Sequence, residues 1–185
     1  SLGLIGGYRG GRLDRALLWL GDVQLALPFI VVAIGVSAVL DPSLAGVILI
    51  LALTGWTTYA RIARLTVMPL RHAAFIDAAR VNGATEARII GRHLLPVALT
   101  PLVAIACQQA GAMILYASAL SYLGLAVPSD TITWGSMIAD ARDLSTTAWW
   151  ATVFPGFAIV LTVIGFTVLG FWFNRRIVGQ RRFSS

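Results

Sequence analysis

An all-helical, multi-pass membrane fold is predicted by three properties of the sequence. Of its 185 residues, 58% are hydrophobic and only 12% charged, with a mean hydropathy of +0.83. A soluble domain carries roughly a quarter of its residues as charges. Four uncharged intervals are long enough to cross a bilayer, which takes about twenty residues of helix. The arginines gather in groups separated by those intervals, as topology-setting residues do.

The elements follow in chain order. Residues 23–40 (VQLALPFIVVAIGVSAVL) and 42–60 (PSLAGVILILALTGWTTYA) are each about one membrane thickness. They predict a helical hairpin turning at Asp41-Pro42-Ser43. Residues 94–129 are 36 uncharged positions, about 54 Å as one helix, so part of the run does something other than span. The span is placed over residues 99–120, and SYLGLAVPSD, with Gly124 and Pro128, is read as a break at the far surface. Residues 144–174 form the last interval, where Pro155-Gly156 marks a kink or the start of the span. The opening SLGLIGGYRGG has no Met and reads as the polar exit of an earlier helix. Membrane segments are therefore expected upstream; the order of basic and apolar parts is not that of a signal peptide.

Charge sets the orientation. Arg9, Arg12 and Arg15 precede the first span. Arg61, Arg64, Arg71, Arg80, Arg88 and Arg92 follow the second, and Arg175, Arg176, Arg181 and Arg182 follow the last. Four crossings put these 13 of the 14 arginines on one side and leave Arg142 opposite, with Asp41, Asp130, Asp140 and Asp143. The arginine-rich side is expected to be cytoplasmic, with both ends of the chain there. The net charge of +6 is thus read as topology, not as nucleic-acid binding.

Several chemistries are excluded. Lys is absent, so there is no Walker-A lysine and no Schiff base; ATP-driven work has to be powered by another chain. Cys107 is the single cysteine and reads as a small packing residue. His72 and His93 lack the i, i+4 spacing of a helical metal pair. No Ser-His-Asp set, carboxylate pair or CxxC motif can be assembled, so neither a catalytic nor a metal site is expected.

Residues 61–96 are too polar for lipid and too helix-like for a passive linker. FIDAARVNG predicts a short amphipathic helix with Phe75, Ile76 and Ala79 on one side and Gly83 as its C-terminal stop. A second helix is expected at once, with Thr85 as N-cap, Glu86 in its first turn, and Arg88 and Arg92 on one face. Pro96 introduces the third span. Two helices meeting at a glycine make a compact projection suited to a partner's groove, and Ala78 and Ala79 are small enough for another backbone to approach.

Asp77-Ala78-Ala79, Gly83 and Leu95-Pro96 together resemble the EAA motif of binding-protein-dependent ABC transporter permeases. That motif reads Glu-Ala-Ala, three residues, Gly, nine residues, an aliphatic residue, one more, then Leu-Pro. Asp77 stands for the Glu and His93 for the aliphatic residue. GLIGGYRGGRLD, GWTTYARIAR, SALSYLGLAVP, TWGSMIADAR and PGFAIVLTVIGFTVLG are similar to the dipeptide, oligopeptide and nickel permeases, so the likeness covers residues 2–174. The tail GFWFNRRIVGQRRFSS departs from the family's Gly-Asp and Leu-Asp-Pro-Arg ending.

The resemblance implies one permease domain over residues 1–185 with the type I (MetI-like) helical-bundle fold, in a bacterial inner membrane, and the coupling segment at 61–96. It implies a docking core of Asp77, Ala78, Ala79 and Gly83, flanked by Arg80 and Arg88, that couples to ATP-binding partners. The implied partners are a second permease subunit, identical or not, two ATP-binding subunits or domains, and an extracytoplasmic substrate-binding protein. ATP and Mg would sit on the partners, with no cofactor on this chain. Peptides or related small solutes would be the cargo.

The pathway is less legible. Gln108, Gln109, Met113, Tyr116, Ser118 and Tyr122 are the polar or adaptable residues of the third span and are candidates for its lining. A helix interface accounts for them equally, with Gly111 and Ala112 permitting close packing. TWGSMIADAR is read either as a receiver for the binding protein or as a solvated turn bearing Asp140, Arg142 and Asp143. The competing reading, a gradient-driven transporter or channel, predicts ionisable residues inside the spans; the four uncharged intervals hold none.

Overall fold

The computed structural model describes residues 2–126, 128, 131–144 and 146–181, the last six by backbone alone. Every regular element among them is helical: α1 (Leu2–Arg9), α2 (Gly11–Leu25), α3 (Phe29–Ser37), α4 (Leu44–Val67), α5 (Ala74–Val81), α6 (Glu86–Ile89), α7 (Leu95–Tyr122), α8 (Trp134–Asp140) and α9 (Trp150–Arg181). Short 3-10 turns lie at Met68–His72 and Arg142–Leu144, and a π-turn at Ile90–Leu94. Three runs among the described residues can cross a membrane: Leu44–His72, Glu86–Tyr122 and Trp150–Arg175. A fourth exists if α2 and α3 make one broken span.

The first crossing departs from the sequence reading. Residues 23–40 are not one helix, because α2 ends at Leu25 and α3 begins only at Phe29. Pro28 has no N–H to donate, and its ring keeps Leu27 out of the helical region. It serves instead as the N-cap of α3, at φ −58° and ψ 137°. Alone, α3 rises about 14 Å, under half the hydrocarbon thickness.

The third crossing also differs. The second short helix expected after Gly83 is continuous with the span, and the run from Glu86 to Tyr122 is 37 residues long. Leu95 donates its N–H to the Ile90 carbonyl, five residues back. Pro96 follows with no N–H of its own, and the wide π-turn carries the helix up to it unbroken. In α9, Pro155 lies inside the helix and does not start it. As far as Phe173 that helix is apolar all round, as lipid requires; Phe154, Phe157, Ile164 and Val168 are each more than half exposed.

The chain divides into two compact units, one of Ser1–Ala26, Trp56–Ala106 and Trp172–Ser185, the other of Leu27–Gly55 and Cys107–Phe171. The first unit is built on a core of Leu4 and Tyr8 from α1, Ala63 and Val67 from α4, Ile76 from α5, and Ile89, Leu94 and Ala98 from the run into α7. Each fully buried Ile or Leu contributes about 2 kcal/mol. Helix α1 lies directly on α4. A Cβ on Gly3 would fall 1.9 Å from the Ala60 carbonyl oxygen, and one on Gly7 would fall 2.9 Å from that of Arg64. Only glycine, four residues apart, permits this contact. Three polar ties hold α2 antiparallel to α4: Arg64 to Asp14, Arg61 to Asp22, and Trp56 Nε1 to Gln24 Oε1.

The second unit centres on Ala33, Val47, Ile50, Leu120 and Ala126. Its α7 ends as the sequence predicts, at Gly124 with φ +73°. Gly124 donates to the Ser121 carbonyl and Leu125 to that of Leu120, a Schellman closure whose apolar partner is Leu125. Helix α8 opens with a capping box in which Thr133 and Ser136 satisfy each other's backbone N–H. It packs so closely that a Cβ on Gly135 would overlap the Ser118 carbonyl, at 2.2 Å.

Candidate functional site

Helix α5 is a two-turn helix between a 3-10 turn and a glycine stop. Ile76 is wholly buried and turns the helix one way. At 100° per residue, Ala74, Ala78 and Val81 fall on the opposite face, flanked by Phe75 and Asp77. All five are exposed, Val81 at 88% and Phe75 at 46%. Phe75 therefore does not share the buried side with Ile76 and Ala79, contrary to the sequence reading. Its ring centroid lies 6.5 Å from that of His93. The outward strip of Ala74, Ala78 and Val81 is small and apolar.

The predicted docking residues separate by role. Asp77 and Ala78 point outward. Ala79 is partly buried against the core beneath α5. Gly83 has φ +76°; its N–H donates to the Arg80 carbonyl, and that of Ala84 donates to the Ala79 carbonyl. Ala79 and Ala84 pack on the same core, completing a Schellman stop. Space around Gly83 is open, so its glycine serves the backbone turn. Arg88 is exposed, and its N–H is taken by Thr85 Oγ1 at 3.4 Å, the N-cap read from the sequence.

Arg80 is engaged within the chain. Its Nη1 donates to Asp77 at 3.2 Å and its Nη2 to the Tyr8 hydroxyl at 3.1 Å. The guanidinium carbon lies 5.6 Å from the Tyr8 ring centroid. The hydrogen bond to Tyr8 raises the Arg80 pKa above its ordinary value. The neighbouring residue, Arg9, donates through Nε and Nη2 to one oxygen of Glu86 at 3.1 and 2.9 Å. Sequence reasoning missed Tyr8 altogether, and it missed Val81. The available signals were the four-residue spacing of Gly3 and Gly7 in front of Tyr8, and the i, i+3 step from Ala78 to Val81.

The six pathway candidates, all on α7, do not converge on one surface. Tyr116 stacks on Phe29 at 4.3 Å between ring centroids. The Met113 methyl sits against Gly55, and the Ser118 backbone receives Gly135. Gln108 and Gln109 are half-buried. Tyr122 lines a cleft of about 520 Å³ with Ser121, Ser136 and Asp140, and the Arg142 guanidinium carbon lies 5.1 Å from its ring centroid. Asp130 lies outside the described residues. Among the described residues no three His, Cys, Asp or Glu side chains gather as a metal-ligand set.

The family described as binding-protein-dependent transport system inner membrane component matches residues 1–182. The chain belongs to this family. As an inner membrane component it is 39% identical over 170 residues to the dipeptide transport system permease protein of Alkalihalophilus pseudofirmus, covering 92% of this chain and 56% of the relative. It is 34% identical over 169 residues to the probable D,D-dipeptide transport system permease protein of Escherichia coli K12, covering 91% and 57%. To the glutathione transport system permease protein of Pectobacterium atrosepticum it is 35% identical over 170 residues, covering 92% and 56%. The chain spans little more than half the length of these relatives. Its apolar helices are those of a multi-pass inner membrane component.

Proposed function

We propose that this chain is a permease subunit of an ATP-driven ABC importer for di- or oligopeptides or related small solutes. With a second permease subunit, identical or not, it forms the translocation pathway. Two ATP-binding subunits or domains, which hold ATP and Mg, drive it, and an extracytoplasmic substrate-binding protein delivers the cargo. The observation that carries the coupling reading is the outward face of α5, where Ala74, Ala78 and Val81 stand exposed on a helix anchored from behind by Ile76. Small side chains let a partner's backbone approach, and the Asp77 carboxylate beside them gives a charged contact. The peptide, dipeptide and glutathione systems named for the relatives support the cargo class.

Mechanically, α5 cannot yield by itself. Its far end is fixed at Gly83 and Ala84, and the chain then enters one unbroken run from Glu86 to Tyr122. A displacement imposed on α5 is handed directly to that transmembrane run. In this reading the arginine-rich segments, both ends included, face the cytoplasm, where the ATP-binding subunits work.

The test is co-purification of the full-length permease with co-expressed ATP-binding subunits, followed by peptide-stimulated ATP hydrolysis in proteoliposomes containing the binding protein. The wild type retains the ATPase, and Gly83→Arg loses it. A folded wild-type permease that holds no ATPase contradicts the proposal.

A further inference from the structure

Between the coupling helix and α4 lies α1, attached on both sides. Toward α4 the contact is backbone to backbone at Gly3 and Gly7, where an added Cβ would overlap the Ala60 carbonyl and crowd that of Arg64. Contacts of this kind have no flexible side chain to absorb a shift, so the two helices move as one piece. Toward the coupling segment there are three attachments. Leu4 and Tyr8 enter the same core as Ile76 and Ile89. Arg9 holds Glu86 at 2.9 Å. Arg80, on α5 itself, spans from Asp77 to the Tyr8 hydroxyl with the two prongs of its guanidinium.

Tyr8 stands at the centre of this arrangement. Only 5% of it is exposed, yet its hydroxyl accepts from a charged donor. A hydrogen bond with one charged partner is stronger than a neutral one. We infer that Tyr8 is a positioning residue for energy coupling: through Arg80 it fixes α5 against α1, so that movement of α5 passes to α4 as well as directly into α7. Tyr8 sits behind α5, on the side of Arg80, and not on the strip offered to a partner. It sets the orientation of the docking helix and makes no docking contact. Arg80 is suited to its part because a guanidinium holds two acceptors at once in a fixed fork, which an ammonium does not.

This inference rests on the coupling reading, and the experiment separates the two. The full-length permease is assembled with its ATP-binding subunits and binding protein in proteoliposomes, and peptide uptake and ATP hydrolysis are measured together. Tyr8→Phe keeps the ring, its packing and the face beneath Arg80, and removes only the acceptor. Retained ATPase, a melting temperature lowered by no more than a few degrees and uptake per ATP lowered about fivefold, the scale of one hydrogen bond from a half-exposed guanidinium, is the expected result. Arg80→Lys gives a similar loss, and the double variant is no worse than either single one, because both break the same link. Tyr8→Phe with wild-type uptake per ATP overturns the inference while leaving coupling through α5 intact, as do losses that multiply in the double variant. A wild-type assembly that retains no ATPase removes the coupling reading and this inference with it.

Discussion

Arg64 grips Asp14 with both prongs of its guanidinium, Nε 2.5 Å from Oδ1 and Nη2 2.7 Å from Oδ2. Both side chains are less than one-fifth exposed. The pair ties α2 to α4 beside the point where Gly7 lies on the Arg64 backbone. Removing one partner leaves the other charge unpaired and poorly hydrated, which is costlier than removing both. Asp14→Asn is expected to destabilise the permease by on the order of 3 kcal/mol. The double variant Asp14→Asn, Arg64→Gln recovers most of that. Thermal unfolding in detergent checks this, and equal losses in the single and double variants would contradict it.

Gly3 separates crowding from ordinary helix propensity. A Cβ there meets the Ala60 backbone, which has no rotamer to change. Gly3→Ala is expected to lower stability by roughly 1–3 kcal/mol, the range for overpacking. At Gly35, on α3, an added Cβ meets nothing within 4 Å. Gly35→Ala should be neutral or stabilising by up to about 1 kcal/mol. The same melting experiment on both variants tests the contrast, and a Gly3→Ala protein as stable as the wild type would refute the close approach.

Gly83 distinguishes a backbone requirement from a steric one. Its surroundings are open but its φ is +76°, a region Asn enters far more easily than a β-branched residue. Gly83→Asn should keep most of the peptide-stimulated ATPase of the assembled transporter, and Gly83→Val should lose most of it. If the glycine existed to admit a partner's backbone, Asn and Val would be similarly damaging. The ratio of their activities therefore reads which role the residue has.

Tyr122 and Met113 test both pathway access and sidedness. Tyr122 borders the cleft with Ser136 and Asp140, whereas the Met113 side chain is packed against Gly55. In a Cys107→Ser background, Tyr122→Cys should react with a membrane-impermeant thiol reagent added outside whole spheroplasts. Met113→Cys should not. Labelling of position 122 only from the cytoplasmic face would invert the topology.

What was legible in the sequence follows how local its physical cause is. The stops at Gly83 and Gly124 and the cap at Thr85 lie within a few residues of what they satisfy, so a short window contains the whole argument. The hairpin turn before Leu44 belongs to the same class. Pro28 was equally local, but the hydropathy of residues 23–40 outweighed it in the reading, and the break in the first crossing was lost. The continuity of Glu86 with α7 is hidden in the sequence because Gly83 and Pro96 frame what reads as a separate short helix, whereas the helix that starts at Glu86 runs on to Tyr122. Phe75 shares a helical arc with Ile76 and Ala79 by periodicity, but the helix turns on Ile76 and leaves the Phe75 ring at the edge of the buried side, 46% exposed. The role of α1 depends on Gly3 meeting Ala60 and Tyr8 meeting Arg80, pairs far apart in the chain. No local pattern encodes such meetings, apart from the spacing of Gly3 and Gly7.

The central claim is that α5 presents Ala78 and Val81 to an ATP-binding subunit. It is tested most directly by placing a photo-crosslinking amino acid at Ala78, at Val81 and, as a control, at Met137 on α8 in the assembled full-length transporter. The account predicts adducts with the ATP-binding subunit from positions 78 and 81 and none from 137. An adduct from 137, or the absence of adducts from both 78 and 81 in an assembly that retains its ATPase, would contradict it.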